Sequence, residues 1–191
     1  MLLSINRLKD KYTGTCYIVG KGESLDSVGI KDFPLSDAPV ICLTQTILKI
    51  NELNLPNPVY SLQQDSWTVP EYTADYGNAI LLTSTHNTHV FKDGYYYDQE
   101  NDLKITDKIC SIISAIHVAY LFGCRNIVFI AFDAVTDGHS RHPQFFKERY
   151  KDYDQLKNYL KFYEIAKQHL FDLGLSYTFY RIGNGDATAD K

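Results

Sequence analysis

After Asn126 the chain runs Ile-Val-Phe-Ile-Ala-Phe132 without a polar residue and then stops at Asp133. A strand with one wet face alternates polar and apolar side chains, so an unbroken apolar run belongs to a strand covered on both faces. Shorter, nearly all-apolar runs repeat the pattern at Cys16 to Val19, Val40 to Leu43, Val59 to Leu62 and Ala79 to Leu82, and Leu175 to Tyr180 reads as a closing strand. Helical spacing fills several of the gaps. Gln45 to Leu53 carries Ile47, Leu48 and Ile50 and is stopped by Pro56 and Pro58. Thr106 to Phe122 carries Ile109, Ile112, Ile113, Ile116, Ala119 and Tyr120 and ends at Gly123. Leu156 to Leu173 repeats an apolar face through Leu160, Tyr163, Ala166 and Leu170 and is capped by Gly174. Apolar strands between helices predict a three-layer α/β fold with a mainly parallel central sheet.

In such folds ligands bind beyond the carboxyl ends of the strands. Four polar places fall there: Gly20 to Ser24, Thr44 with Gln45, Asp65 and Asp133. The first follows Cys16-Tyr-Ile-Val19 as Gly20-Lys-Gly-Glu-Ser24, a strand that breaks into two glycines one residue apart. Glycine tolerates positive φ and lets backbone N–H groups approach an anion closely, so this turn is read as a phosphate cradle or as an ordinary strand-to-loop turn. It lacks the third glycine of a dinucleotide fingerprint and the Gly-Lys-Ser/Thr of a phosphate loop.

Asp133 stands where α/β enzymes place a catalytic or ribose-binding carboxylate, or where a carboxylate caps the next turn. Beyond it, Asp137-Gly-His-Ser-Arg-His-Pro143 gathers two imidazoles and a guanidinium. His139 or His142 could take a proton from an acceptor hydroxyl and Arg141 could offset phosphate charge; metal binding and plain solvation are the other readings. His86 and His89 form a second pair, read as loop residues. His117 reads as a hydrogen-bonded helix residue and His169 as a surface residue. No third ligand accompanies either histidine pair by spacing, so no metal site is assigned.

The chain has 191 residues, 45% hydrophobic and 22% charged, with a formal net charge of -4. That composition fits one globular domain, taken as residues 1–182 with a frayed tail at 183–191, and gives no basic field for nucleic acid. Cys16, Cys42, Cys110 and Cys124 are widely spaced and mostly inside apolar runs, which suits buried thiols in a reducing, cytoplasmic setting. Charged residues from Arg7 onward interrupt the first apolar residues, so neither secretion nor a membrane span is expected. The polar connections 86–105 and 134–153 are long enough to serve as lids or substrate loops. A homo-oligomeric state stays open.

The order of these motifs resembles a Rossmann-like superfamily. Its members include bacterial sialyltransferases that use a cytidine-monophosphate sugar, the archaeal-type hydroxymethyldihydropterin diphosphokinase group, and bacterial and phage relatives. The likeness rests on Tyr17-Ile-Val-Gly-Lys-Gly-Glu-Ser-Leu25, on Ile41-Cys-Leu-Thr-Gln45, and on Ser114 to Gly123 followed by Cys124 to Asp133. Glu23 replaces the pattern's proline, Lys21 and Thr44 replace asparagines, and Ala131 replaces the glycine before the aspartate. The resemblance implies a nucleotide-binding domain, placed in a host cytoplasm if the gene is carried by a phage.

Three functions follow as expectations. In the first, a glycosyltransferase-like enzyme holds a nucleotide-sugar donor. Gly20, Lys21, Gly22 and Ser24 take its phosphates, Thr44 and Gln45 its nucleoside, and His139 or His142 is the general base beside Asp133. In the second, ATP donates diphosphate to a small hydroxymethyl acceptor, with Mg²⁺ held by Asp65 and Asp133. In the third, a phage accessory or assembly protein binds a nucleotide without turnover; Glu23 beside a phosphate pocket favours it by like-charge repulsion.

Overall fold

The computed structural model describes residues 1–64, 75–106, 110–133, 153–180 and 187–188. Among the described residues nine strands form one sheet: β1 (Leu2–Ser4), β2 (Gly14–Val19), β3 (Val40–Leu43), β4 (Val59–Gln63), β5 (Ile80–Ser84), β6 (Gly94–Tyr97), β7 (Cys124–Ile130), β8 (Ser176–Tyr180) and β9 (Ala187–Thr188). Their spatial order is β1-β6-β5-β4-β3-β2-β7-β8-β9, and every neighbouring pair is parallel except β8 with β9. The fold is a Rossmann-like α/β fold with a mainly parallel sheet.

Parallel strands need crossovers, and these supply the helices α1 (Thr46–Glu52), α2 (Ser111–Leu121) and α3 (Tyr153–Asp172). Along β2, Cys16 and Ile18 point to one face and join Ile113, Ile116 and Ala119 of α2 and Ala166 and Leu170 of α3 in a single core. Tyr17 and Val19 point to the other face and pack with Ile47 and Ile50 of α1 and with Leu25 and Val28 of a 3-10 turn. Both faces of the central strands are therefore dry, as the apolar runs require.

Several boundaries differ from expectation, each for a local reason. β7 begins at Cys124 and ends at Ile130, because Ala131 turns into the left-handed region at φ +57°. Strands also form where none was expected: β1 at the amino terminus, and β6, which lies inside the polar connection 86–105 and uses the Tyr95-Tyr96-Tyr97 cluster to pair with β5. Residues 187–188 of the expected frayed tail pair with β8. His169 is half-buried rather than at the surface, with its Nδ1 3.0 Å from His117 Nε2, while His117 Nδ1 lies 2.7 Å from the Leu103 carbonyl. Cys16, Cys42 and Cys124 are buried free thiols. Burial pushes the Cys16 and Cys42 thiols up, whereas the hydrogen bond with Cys16 draws the Cys124 thiol down. No helix among the described residues is long and apolar enough to cross a membrane.

Candidate functional site at the carboxyl edge of the sheet

From β2 the chain adds β3, β4 and β5 successively on one side, then returns so that β7 lies on the other side of β2. The strand order reverses between β2 and β7, and open α/β sheets place their ligand crevice beyond the carboxyl ends at such a reversal. Here that point is flanked by the glycine turn after β2 and by Ala131 to Asp133 after β7.

The two segments are bonded to one another. Gly20 N donates to Ile130 O at 2.8 Å and Gly22 N to Ala131 O at 2.7 Å. Ser24 N and Ser24 Oγ each donate at 2.6 Å to one oxygen of the Asp133 carboxylate. Asp133 thus lies just past the carboxyl end of a central parallel strand and on the glycine turn, as the sequence led us to expect. The glycines answer a different need from the one expected. Gly22 has φ -69°, so it does not supply positive φ, and the amides of Gly20, Gly22 and Ser24 are spent within the protein rather than left open to an anion. What excludes a side chain is close approach: a Cβ on Gly20 would come within 2.8 Å of the Phe132 ring and 2.7 Å of Ala131 O, and one on Gly22 would overlap Asp133.

One strand away, β3 ends at Leu43 and the backbone of Thr44 turns to φ +52°. A β-branched residue rarely adopts that conformation, and backbone strain of this kind concentrates at functional sites. Among the described residues, Thr44 Oγ1 and Gln45 Oε1, like Asn57 Oδ1 elsewhere, are buried without a hydrogen-bond partner. Burying such a group unpaired costs about 1–3 kcal/mol, which makes two adjacent ones an unusual expense for structure alone. Thr46 Oγ1 reaches back to Val19 O at 3.4 Å, tying the start of α1 to the end of β2, and Leu25 packs in one core with Ile47. The Thr44–Gln45 turn and the glycine turn are therefore neighbours along one edge.

The remaining strand ends carry a buried polar network that the residue patterns did not reveal. Gln63 Nε2 donates to Ser61 Oγ at 2.7 Å and to Thr44 O at 3.4 Å. The Gln63 carbonyl accepts from Thr83 Oγ1 at 2.9 Å and from Asn87 Nδ2 at 3.1 Å. Asn87 Nδ2 also donates to Gln64 O at 2.6 Å, while Gln64 Oε1 accepts from Tyr97 OH and from Ser114 Oγ at 3.3 and 2.5 Å. The available signal was Gln63-Gln64 closing an apolar run, since amides there must be satisfied if the strand end is buried.

Of the residues singled out from sequence, the structure brings together Gly20, Gly22, Ser24 and Asp133, and places Thr44 and Gln45 on the next strand end. Lys21 is half-buried between the two glycines. His86 and His89 are exposed. Asp65, His139, Arg141 and His142 lie outside the described residues. No group of three or more His, Cys, Asp and Glu among the described residues is placed to hold a metal ion. Compared with protein-family models, with characterised proteins and with solved structures, the chain matches none of them.

Proposed function

We infer that this protein is a glycosyltransferase-like enzyme that binds a nucleotide-sugar donor along the carboxyl edge of β2, β3 and β7. The observation that carries the reading is the pair of buried polar atoms at Thr44 and Gln45 that find no partner among the described residues, beside the strand-order reversal. A ligand that brings donors and acceptors to those two atoms recovers the cost of having buried them, which is how a polar site selects a polar ligand. A nucleoside, with its base edge and ribose hydroxyls, offers such groups. Asp133 and Ser24, bonded to each other, stand at the adjacent reversal. The transfer step is assigned, by resemblance, to His139 or His142 as the base that takes the acceptor proton, with Arg141 offsetting charge on the departing phosphate.

A second reading, a nucleotide-binding protein without turnover, is favoured by one specific observation. The amides of Gly20, Gly22 and Ser24, which would cradle phosphates in a catalytic site, already have acceptors inside the protein. ATP-dependent diphosphate transfer would draw on Asp133, both of whose oxygens accept from Ser24.

A thermal-shift panel of nucleotides and nucleotide sugars, with and without Mg²⁺, tests these readings, because a ligand bound well below its concentration raises the melting temperature by several degrees. Stabilisation by a nucleotide sugar, followed by its consumption with an acceptor, supports the transferase. Stabilisation by a nucleotide with no turnover of any donor supports the second reading. Silence across the panel refutes both.

A further inference from the structure

Thr44 is held in the left-handed region by its surroundings rather than by its own preference. β4 grips its backbone at two points: Thr44 N donates to Leu62 O at 3.0 Å, and the Thr44 carbonyl accepts from Gln63 Nε2 at 3.4 Å. Gln63 is fully buried at the end of β4. Its amide cannot swing aside freely, because the same Nε2 donates to Ser61 Oγ at 2.7 Å. Its backbone is fixed as well, since the Gln63 carbonyl accepts from Thr83 Oγ1 and Asn87 Nδ2. Asn87 in turn holds Gln64, which Tyr97 and Ser114 anchor to β6 and α2. A fully buried amide held by Ser61, carried on a backbone held by Thr83 and Asn87, and aimed at the carbonyl of a strained residue is built to fix a backbone conformation.

We propose that Gln63 is the positioning residue of the carboxyl-edge site: acting through the Thr44 carbonyl, it keeps the left-handed turn that sets Thr44 Oγ1 and Gln45 Oε1 in place for a nucleotide. The proposal rests on the nucleotide-binding reading above and extends it to a side chain that acts at one remove from the ligand.

Gln63→Met keeps length and volume and removes the amide. Two readouts are taken on folded protein: affinity for CMP and for ATP by calorimetry, and amide hydrogen exchange at Thr44 to Thr46 without ligand. The expected result is an affinity loss of about tenfold or more, the consequence of presenting polar atoms out of register, together with faster exchange confined to the 44–46 turn. Thr44→Asn added to Gln63→Met should restore slow exchange at the turn, because asparagine enters the left-handed region more readily; affinity is not the readout of this pair, since Thr44 Oγ1 is itself a proposed ligand contact. A general loss of packing would not respond to that second change. Unchanged affinity and exchange in folded Gln63→Met overturn the proposal, and so does accelerated exchange at the turn that Thr44→Asn leaves unrepaired. Should Gln63→Met fail to fold, Ser61→Ala loosens the same amide: a smaller change in the same direction supports the role and wild-type behaviour overturns it. If the wild type binds neither CMP nor ATP, the nucleotide reading fails by itself. The exchange data then decide the positioning role, acceleration confined to the turn supporting it and unaltered exchange overturning it.

Discussion

Gly22 has no room for a side chain because Asp133, far along the chain, occupies the space a Cβ would take. Gly22→Ala therefore overpacks the junction between β2 and β7, pressing on both the carboxylate and the Ala131 carbonyl. We expect a loss of about 1–3 kcal/mol in urea unfolding. In an Asp133→Ala background the same change should cost less, since one of the two obstacles is gone. Equal costs in both backgrounds would show that the carboxylate is not what excludes the side chain.

Asp133→Ala by itself leaves Ser24 N and Ser24 Oγ without their acceptor. Hydrogen bonds to a charged group contribute roughly 1.5–3 kcal/mol, and the half-exposed setting of Asp133 puts the expected loss at the lower end. Asp133→Asn retains one acceptor oxygen and should fall between wild type and alanine. An asparagine variant as unstable as the alanine variant would contradict the paired geometry.

The contact between α2 and α3 fixes a tautomer. The Leu103 carbonyl can only accept, so His117 Nδ1 carries the proton, and in the neutral ring His117 Nε2 must accept from His169 Nδ1. Long-range proton–nitrogen spectra should find neutral His117 protonated at Nδ1. His169→Phe removes that hydrogen bond and should cost about 0.5–1.5 kcal/mol, the net contribution of one such bond. The opposite tautomer in the spectra would rule out this arrangement.

Alkaline pH should destabilise the fold. Burial, and then the hydrogen bond with Tyr12, push the Tyr60 phenol far above its ordinary range; burial also raises Tyr17, Tyr76 and the Cys42 thiol, and the bond to Asp32 raises Tyr180. Each group keeps its proton in the native state after the unfolded chain has lost it, so the native state binds more protons above the unfolded values of about 9 to 10. Stability from these groups is complete below that range and falls as pH rises beyond it. Unfolding free energies measured on either side of about pH 10 should show the decline, and Tyr60→Phe should make it shallower. A flat profile would mean these phenols ionise alike in both states.

Strand interiors were readable from sequence and strand edges were not, for a physical reason. Ile127 to Ile130 and Val40 to Leu43 announce themselves because a doubly covered strand must be apolar throughout. Tyr95 and Tyr96 of β6 are half-buried near the sheet margin, where amphipathic side chains suffice, so nothing separates them from a tyrosine-rich loop. The same limit applied to the site. Strand ends could be located because the carboxyl-edge rule depends only on strand order, which brought Ser24, Thr44 and Asp133 into view. That Gly22 needs to be small for Asp133, or that Asn87 reaches Gln63 and Gln64, depends on register across strands distant in sequence. No local pattern encodes it.

Placing β7 beside β2 also dictates when the edge can exist. Ser24 and Asp133 stand 109 positions apart, so closing their contact follows the costly closure of most of the chain between them. During synthesis β2 to β6 can form a parallel sheet while β2, buried from Cys16 to Val19 in the finished fold, still has one bare side. Until β7 emerges, that side offers unpaired N–H and C=O groups to any passing strand, a liability that slow parallel sheets share. The ribosome-bound chain is thus most in need of shielding during the interval that ends with residue 133, and the strand that relieves the hazard is the one that brings Asp133 to Ser24.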